Sequence, residues 1–304
     1  MRYLTAVADT LHFRRAAESV NVTQPTLSAQ LKEMERRLGV QLVERSRSRV
    51  ILTPVGREIA ARARRVLRDV EDIRDLARRT QPLASTIRTG VVHSLGSYLL
   101  PLIVRDLHGS HPDLRLYVRE ALPDDLLDQL ESGGLDLLFY PLPVDRQEIV
   151  TIPLFSEPLR VVMPHEHRLA SLTAIPPGEL KGETILTLEP GHRLYDQVRN
   201  LSNAFEANLS HDYEGTSLDT LRQMVAMGLG ISLLPALYVR SEVARENLVV
   251  DRPIKGAEPA RLIGMVWRRG TSRHTEFQQL AAIIAGILAR NAPEIDLRHT
   301  GKAE

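Results

Sequence analysis

The sequence predicts an α/β protein in three parts: a small helical head ending in a basic hairpin, one long helix, and a larger body in which strands and helices take turns. Three observations carry this. Residues 12–53 place two short helices, a polar turn and an arginine-tipped hairpin in succession; residues 54–79 keep an apolar seam; and from residue 87 short apolar runs alternate with helical patterns to about residue 290.

In the head, Ala16, Ala17 and Val20 give one helix a small apolar face that another helix can approach closely, and Asn21-Val22-Thr23 forms the turn. Thr23 can cap the next helix while Pro25 sits inside its first turn, where a missing N–H costs nothing. Leu27, Leu31, Met34 and Leu38 recur at i, i+4, i+7 and i+11, so one stripe faces inward while Gln24, Thr26, Ser28, Gln30 and Lys32 stay exposed. Gly39 ends the helix. Exposed Gln, Ser and Thr at a helix start can bond base edges in a major groove, and are equally ordinary solvated residues. After Leu42-Val43-Glu44-Arg45 come Ser46-Arg47-Ser48-Arg49 and the strand-like Val50-Ile51-Leu52-Thr53, a hairpin whose arginines can grip phosphate.

Charge divides along the same line. Residues 1–80 hold 17 Lys and Arg against 10 Asp and Glu, and the remainder 22 against 28, so a net charge of +1 hides a basic head on an acidic body. The basic part is the one that can displace counterions from DNA. Basic charge throughout, expected of a DNA-compacting protein, is absent.

Ile59, Ala63, Val66, Val70, Ile73 and Ala77 then recur at alternating steps of four and three, flanked by Arg57, Arg62, Arg64, Arg65 and Arg68. The seam predicts a two-stranded coiled coil; the alternative is an amphipathic helix lying on its own domain. Gln81 to Thr86 reads as a hinge. In the body, strand-like runs at 87–92, 114–119, 135–140, 159–163, 184–188, 231–234 and 261–267 alternate with helical patterns at 98–108, 124–133, 192–207, 218–227 and 275–288, which argues for a parallel α/β sheet.

Hydrophobic residues make up 43%, enough for ordinary cores. No run of 18 apolar residues, leader or lipidation signal is present, so the expectation is a cytoplasmic protein without membrane contact. Zero cysteines exclude disulfides, thiolate zinc sites and cysteine catalysis. Enzyme signals are weak: Val92-His93-Ser94-Leu95-Gly96 has valine in the first glycine's place of a nucleophile elbow, His165-Glu166-His167 has the wrong spacing for one metal, and Gly228-Leu229-Gly230 is a fragment of a dinucleotide loop. The expectation is a non-enzyme with neither cofactor nor metal.

The head resembles the winged helix-turn-helix of LysR-type transcriptional regulators at Ala16-Ala17, Thr23-Gln24-Pro25-Thr26-Leu27-Ser28, Leu38-Gly39, Leu42, Arg45 and Leu52-Thr53-Pro54-Gly56. Met1 falls inside the family's first helix, so about one turn of its usual start is absent. The resemblance implies that Gln24, Pro25, Thr26, Ser28, Gln30 and Lys32 face the groove, and that Arg45, Arg47, Arg49 and Thr53 meet the DNA backbone. It implies a dimerising linker helix, a dimer or tetramer on an interrupted palindrome, a small-molecule effector, and RNA polymerase as a further partner. It also implies a two-lobed effector domain similar to periplasmic solute-binding proteins, with crossovers near 160 and 266. The expected division is therefore 1–53 for the DNA-binding domain and 54–86 for the linker and hinge. The effector domain follows at 87–290, with lobe I at 87–160 and 266–290 and lobe II at 161–265, and 291–304 is a polar tail.

By the same resemblance His93-Ser94-Leu95-Gly96, Leu122-Pro123-Asp124 and Gly215-Thr216-Ser217 point into the cleft between the lobes. Ser94, Thr216 and Ser217 suit an anion, though each singly is equally a plain N-cap. Within the family the body is similar to the peroxide-sensing OxyR branch at Tyr98-Leu99-Leu100-Pro101, Leu188-Glu189-Pro190-Gly191-His192, Asp196-Gln197 and the stretch from Thr216 to Leu237. Its reactive cysteine position is Arg193 here, and the resolving position falls near Ser202, so thiol chemistry is closed. Met224 and Met227 read as core filler, not as replacement oxidation sensors. Arg193 offers a planar fork suited to carboxylate or phosphate. The expectation is an anionic effector held by Arg193 with Ser94, Pro123, Thr216 and Ser217 around it. The alternatives are a constitutive regulator whose Arg193 is salt-bridged to Glu120 or Asp196, or, in a different class, a solute-binding or hydrolase-like α/β protein.

Overall fold

The computed structural model describes residues 1–45, 50–78, 83, 85–210, 215, 217–245, 248–256 and 258–298. The chain divides into two compact units, Met1–Thr80 with Glu131–Gly134, and Gln81–Leu130 with Leu135–Glu304.

The head opens with α1 (Arg2–Thr10) and α2 (Phe13–Ser19), the latter capped by His12, whose Nδ1 accepts the Arg15 N–H at 3.5 Å. Asn21 takes φ 57° in the turn, and α3 (Gln24–Leu38) starts beneath Thr23, whose hydroxyl accepts the Thr26 N–H. Gly39 closes it at φ 68°, a left-handed geometry that glycine adopts without strain. Leu27 and Leu31 are buried with Leu4, Val7, Ala16 and Ala17. Leu38 is 47% exposed, contrary to its place on the inner stripe, because the stripe runs past the edge of this small core. β1 (Val43–Arg45) and β2 (Val50–Leu52) pair antiparallel, Val43 opposite Leu52. Glu35 of α3 accepts the N–H groups of Leu42 and Val43 at 2.9 and 3.1 Å and so fastens the hairpin to the helix. α4 (Pro54–Arg78) follows, and at Gly56 a side chain would collide with the Leu42 carbonyl. The seam of α4 is divided: Ala63 is buried, as is Ala60 beside the seam, and Ile59 packs against the head core, whereas Val66, Val70 and Ile73 are exposed. The Ala77 and Arg68 side chains lie outside the described residues.

The second unit begins with β3 (Thr86–Val92), α5 (His93–Ser110), β4 (Arg115–Ala121), α6 (Pro123–Glu131) and β5 (Leu137–Leu142), with the strands parallel in the order β4-β3-β5. β6 (Ile149–Pro164) is a 16-residue strand that leaves this sheet for a second one. There stand β7 (Thr184–Leu186), α7 (Arg193–Ala204), β8 (Asn208–Leu209), α8 (Leu218–Ala226), β9 (Ile231–Pro235), α9 (Ala236–Tyr238), a π-helical turn at Val239–Val243, and β10 (Val249–Arg252). β11 (Ala260–Arg268) returns between β5 and β6, and α10 (His274–Asn291) and β12 (Asp296–Leu297) complete the unit. This is the two-lobed α/β architecture, but the sheets are mixed: β11 and β6 run antiparallel to their neighbours because they are the two crossings between lobes.

Two boundaries differ from expectation. β11 already pairs with β6 at Ala260 opposite Pro158, so the second crossover precedes 266. The expected polar tail begins as packed structure: Ala292 and Ile295 are buried, β12 pairs with Ser156 and Phe155 of β6, and the Arg298 N–H bonds the Leu154 carbonyl at 2.9 Å. Each lobe has its own core, around Phe139, Phe155, Trp267 and Phe277 in lobe I and around Met163, Leu186, Leu221 and Leu234 in lobe II. Tyr98 packs against both and meets Tyr238 edge to face at 5.0 Å.

Candidate DNA-reading surface and effector cleft

On the head, α3 turns Leu27 and Leu31 inward and leaves Gln24, Pro25, Thr26, Gln30 and Lys32 exposed, with Ser28 half-buried. One helix face therefore carries the polar side chains that suit base edges, and the hairpin that follows has Arg45 at the end of its first strand. The Arg45 side chain, Arg47 and Arg49 lie outside the described residues. Thr53 is a correction: its hydroxyl donates to the Gln41 carbonyl at 2.7 Å and accepts the Gly56 N–H at 2.9 Å, so it caps α4 and has no proton left for a phosphate. At the far end of α3, Arg36 and Arg37 together hold the Glu33 carboxyl down to about 2, so it remains a carboxylate.

In the second unit His93-Ser94-Leu95-Gly96 and Leu122-Pro123-Asp124 sit where β3 and β4 give way to α5 and α6, and Ser217 stands directly before α8. Ser94, on the first turn of α5, is only 5% exposed and accepts Arg261 Nη1 at 2.8 Å through its hydroxyl and Nη2 at 2.9 Å through its carbonyl. Arg261 Nε meets Glu157 Oε2 at 2.7 Å, and the other Glu157 oxygen accepts the Leu237 N–H at 2.9 Å. Ser94 is thus built into a buried network joining both crossing strands. The sequence reading missed Glu157 and Arg261, whose only signal is a charge placed inside an apolar strand. Pro123 is buried at the first position of α6. Ser217 is half-buried and accepts the Thr220 N–H at 3.4 Å as the cap of α8. Thr216 lies outside the described residues.

Arg193 is the first residue of α7, exposed, and donates from Nη2 to the Pro143 carbonyl at 2.9 Å, linking lobe II to lobe I. Among the described residues it is paired with no carboxylate: Asp196 faces Arg199 at 3.4 Å, and Glu120 lies over Gly96. The salt bridge offered as an alternative is therefore replaced here by a carbonyl contact. His192 beside it is 3% exposed, with Nε2 unpartnered and 4.0 Å from Glu189, and burial lowers its pKa, which favours the neutral ring. Ser202 is fully buried and donates to the Val198 carbonyl at 2.8 Å. Met227 corrects another expectation, being 69% exposed at the end of α8, not core. Among the described residues no group of acidic or imidazole side chains is placed to hold a metal, and no helix is long and apolar enough to cross a membrane.

The family model of a bacterial regulatory helix-turn-helix protein of the lysR family matches residues 1–57, and that of the LysR substrate binding domain matches residues 80–288. The chain belongs to the LysR family. This LysR-type regulator is 40% identical over 287 residues to the DNA-binding transcriptional dual regulator OxyR of Escherichia coli K12, covering 93% of each chain. It is similar to full-length OxyR of Pseudomonas aeruginosa carrying a cysteine-to-aspartate substitution, with a TM-score of 0.81, 34% identity, and 99% and 97% of the two chains covered. A Corynebacterium glutamicum OxyR with a cysteine-to-serine substitution and bound hydrogen peroxide matches with a TM-score of 0.68, 29% identity, and 95% and 92% covered. The LysR-type regulator described here has no cysteine.

Proposed function

We propose that this DNA-binding transcriptional regulator answers to a small anion held in its cleft by Arg193, and not to thiol oxidation. The observation that carries the reading is a guanidinium at the start of α7 with only one N–H committed to a protein carbonyl, in a chain without cysteine. A permanent fork of donors at a helix N-terminus favours an oxyanion twice, through charge and through free backbone N–H groups. Ser94 and Ser217 border the cleft as structural supports, and Pro123 as an apolar wall. In the head, Gln24, Pro25, Thr26, Ser28, Gln30 and Lys32 face the major groove while Arg45, Arg47 and Arg49 meet phosphate. Two copies joined through α4 read an interrupted palindrome.

A constitutive regulator is the second reading, favoured by the Arg193–Pro143 contact, which ties the lobes without a ligand. Thermal unfolding of the full chain against a panel of small anions separates the two. The effector reading expects a concentration-dependent rise in melting temperature that disappears in Arg193→Ala. The constitutive reading expects no anion effect and a lower melting temperature in the variant. In either case dilute hydrogen peroxide should leave operator footprints unchanged; a rapid, reversible change would overturn the non-redox reading.

A further inference from the structure

Opposite the buried Leu27 and Leu31, α3 carries a second stripe: Pro25, Ala29, Lys32 and Arg36 follow one another at steps of four, three and four, and all are exposed. Pro25 and Lys32 belong to the surface assigned to DNA, and Arg36 extends it towards the helix end. Arg36 lies roughly 16 Å along the axis from Pro25 at about 1.5 Å per residue, whereas a major groove is only about 12 Å wide, so a helix seated by its first turn brings Arg36 to the height of the phosphates. The side chain is held there. Its Nε and Nη2 donate to the two Glu33 carboxylate oxygens at 2.8 and 2.7 Å, and Arg37 Nε donates to Glu33 Oε1 at 2.8 Å. Among the described residues Arg36 Nη1 and both Arg37 Nη nitrogens have no partner. The bonds from Arg36 and Arg37 hold the Glu33 carboxyl down to about 2, so it stays ionised, and alone it would repel phosphate. Exposed pairs at this spacing contribute little to stability, and last-turn arginines favour the helix dipole without Glu33. Neither accounts for a carboxylate gripped by two guanidiniums beside the DNA-facing stripe.

We infer that Glu33, Arg36 and Arg37 form a preorganised clamp for the DNA backbone. Arg36 donates from Nη1 to a phosphate oxygen at the groove wall, and Glu33 is a positioning residue that fixes the opposite edge of the guanidinium and does not touch DNA. Arg37 offsets the charge of Glu33, so the cluster meets the phosphate with one net positive charge. A long arginine side chain loses much rotamer freedom on binding, and a carboxylate that has already fixed it removes part of that cost. The inference rests on the placement of α3 in the major groove and deepens it. It adds to the basic hairpin a second backbone contact, carried by the reading helix itself.

The test measures binding of the full chain to a random-sequence DNA duplex across a salt series, with helicity followed by circular dichroism. Arg36→Gln should lower the slope of log affinity against log salt by roughly one. Glu33→Gln is the sharper variant, because it makes the DNA-facing side more positive. Charge alone predicts tighter binding; the clamp predicts binding weaker by about threefold, and no such loss when Arg36→Gln is already present. Tighter binding by Glu33→Gln would overturn the positioning role, since the carboxylate would then only repel. A parent-like slope in Arg36→Gln, with Lys32→Ala lowering it, would overturn the clamp and leave the groove placement of α3 standing. Parent-like slopes in both would remove the groove placement as well. Affinity lost only in step with helicity would also overturn the clamp, because the arginine would then serve the helix end.

Discussion

Glu157 and Arg261 face each other across the two strands that join the lobes, both buried, with Arg261 Nε 2.7 Å from Glu157 Oε2. Every strong group of the pair is satisfied, by Ser94 on the lobe I side and by the Leu237 N–H on the lobe II side. Breaking one partner leaves the other as an uncompensated buried charge. Glu157→Ala should therefore destabilise the unit by about 3–5 kcal/mol, while the Glu157→Met, Arg261→Met double variant recovers most of that loss. Urea unfolding of the three proteins measures it; single and double variants equally unstable would mean that the ion pair stabilises the fold directly.

On the head, base contacts and phosphate contacts separate by their salt response. Gln24→Ala removes an exposed side chain from the first turn of α3 and should cost about 1–3 kcal/mol on operator DNA but little on scrambled DNA. Arg45→Ala should weaken both alike and lower the slope of log affinity against log salt by roughly one. Binding isotherms across a salt series distinguish them, and two variants that bind like the parent would move the reading surface elsewhere.

The split seam of α4 yields opposite outcomes from similar substitutions. Val66→Asp with Val70→Asp places charge on an exposed apolar stripe, so the head should fold while self-association weakens. Ala60→Asp instead buries an unpaired carboxylate in the head core and should unfold it. Sedimentation and circular dichroism read the two effects separately. An unchanged oligomer in the valine pair would assign self-association to the second unit alone.

Much of this was legible in the chain because it rests on local periodicity. The i, i+4 stripe of α3, the Thr23 cap and the Gly39 stop all follow from neighbouring residues, and the long helix from its heptads. What was not legible depends on distant partners. Ser94 reads as a free hydroxyl until Arg261 arrives from 167 residues away. β6 carries Pro153 and Pro158, which argue against a strand, yet it pairs with β11 on both sides of a register shift at Ile263 and Gly264 that leaves Leu154 without a β11 partner. Thr53 carries the family's pattern at the wing, and only the paired hairpin shows its hydroxyl turned to Gln41.

His192 gives the cleft a pH dependence whose sign is fixed by burial. Its pKa in the folded protein lies below the ordinary value of 6.5, the loss of solvent outweighing the favourable charge of Glu189, with His93 adding a further push downward. The unfolded chain therefore binds more protons than the folded one as pH falls through 6.5. Stability contributed by the neutral ring is complete above that value and is lost progressively below it. His192→Gln keeps a polar side chain of similar size without the titration, so its stability should fall less steeply than the parent's between about pH 6.5 and 5. Urea midpoints of both proteins across that interval decide the matter, the other carboxylates and histidines cancelling in the difference. Parallel curves would mean that the buried ring takes up its proton as readily as an exposed one, and that the rim beside Arg193 is open to water.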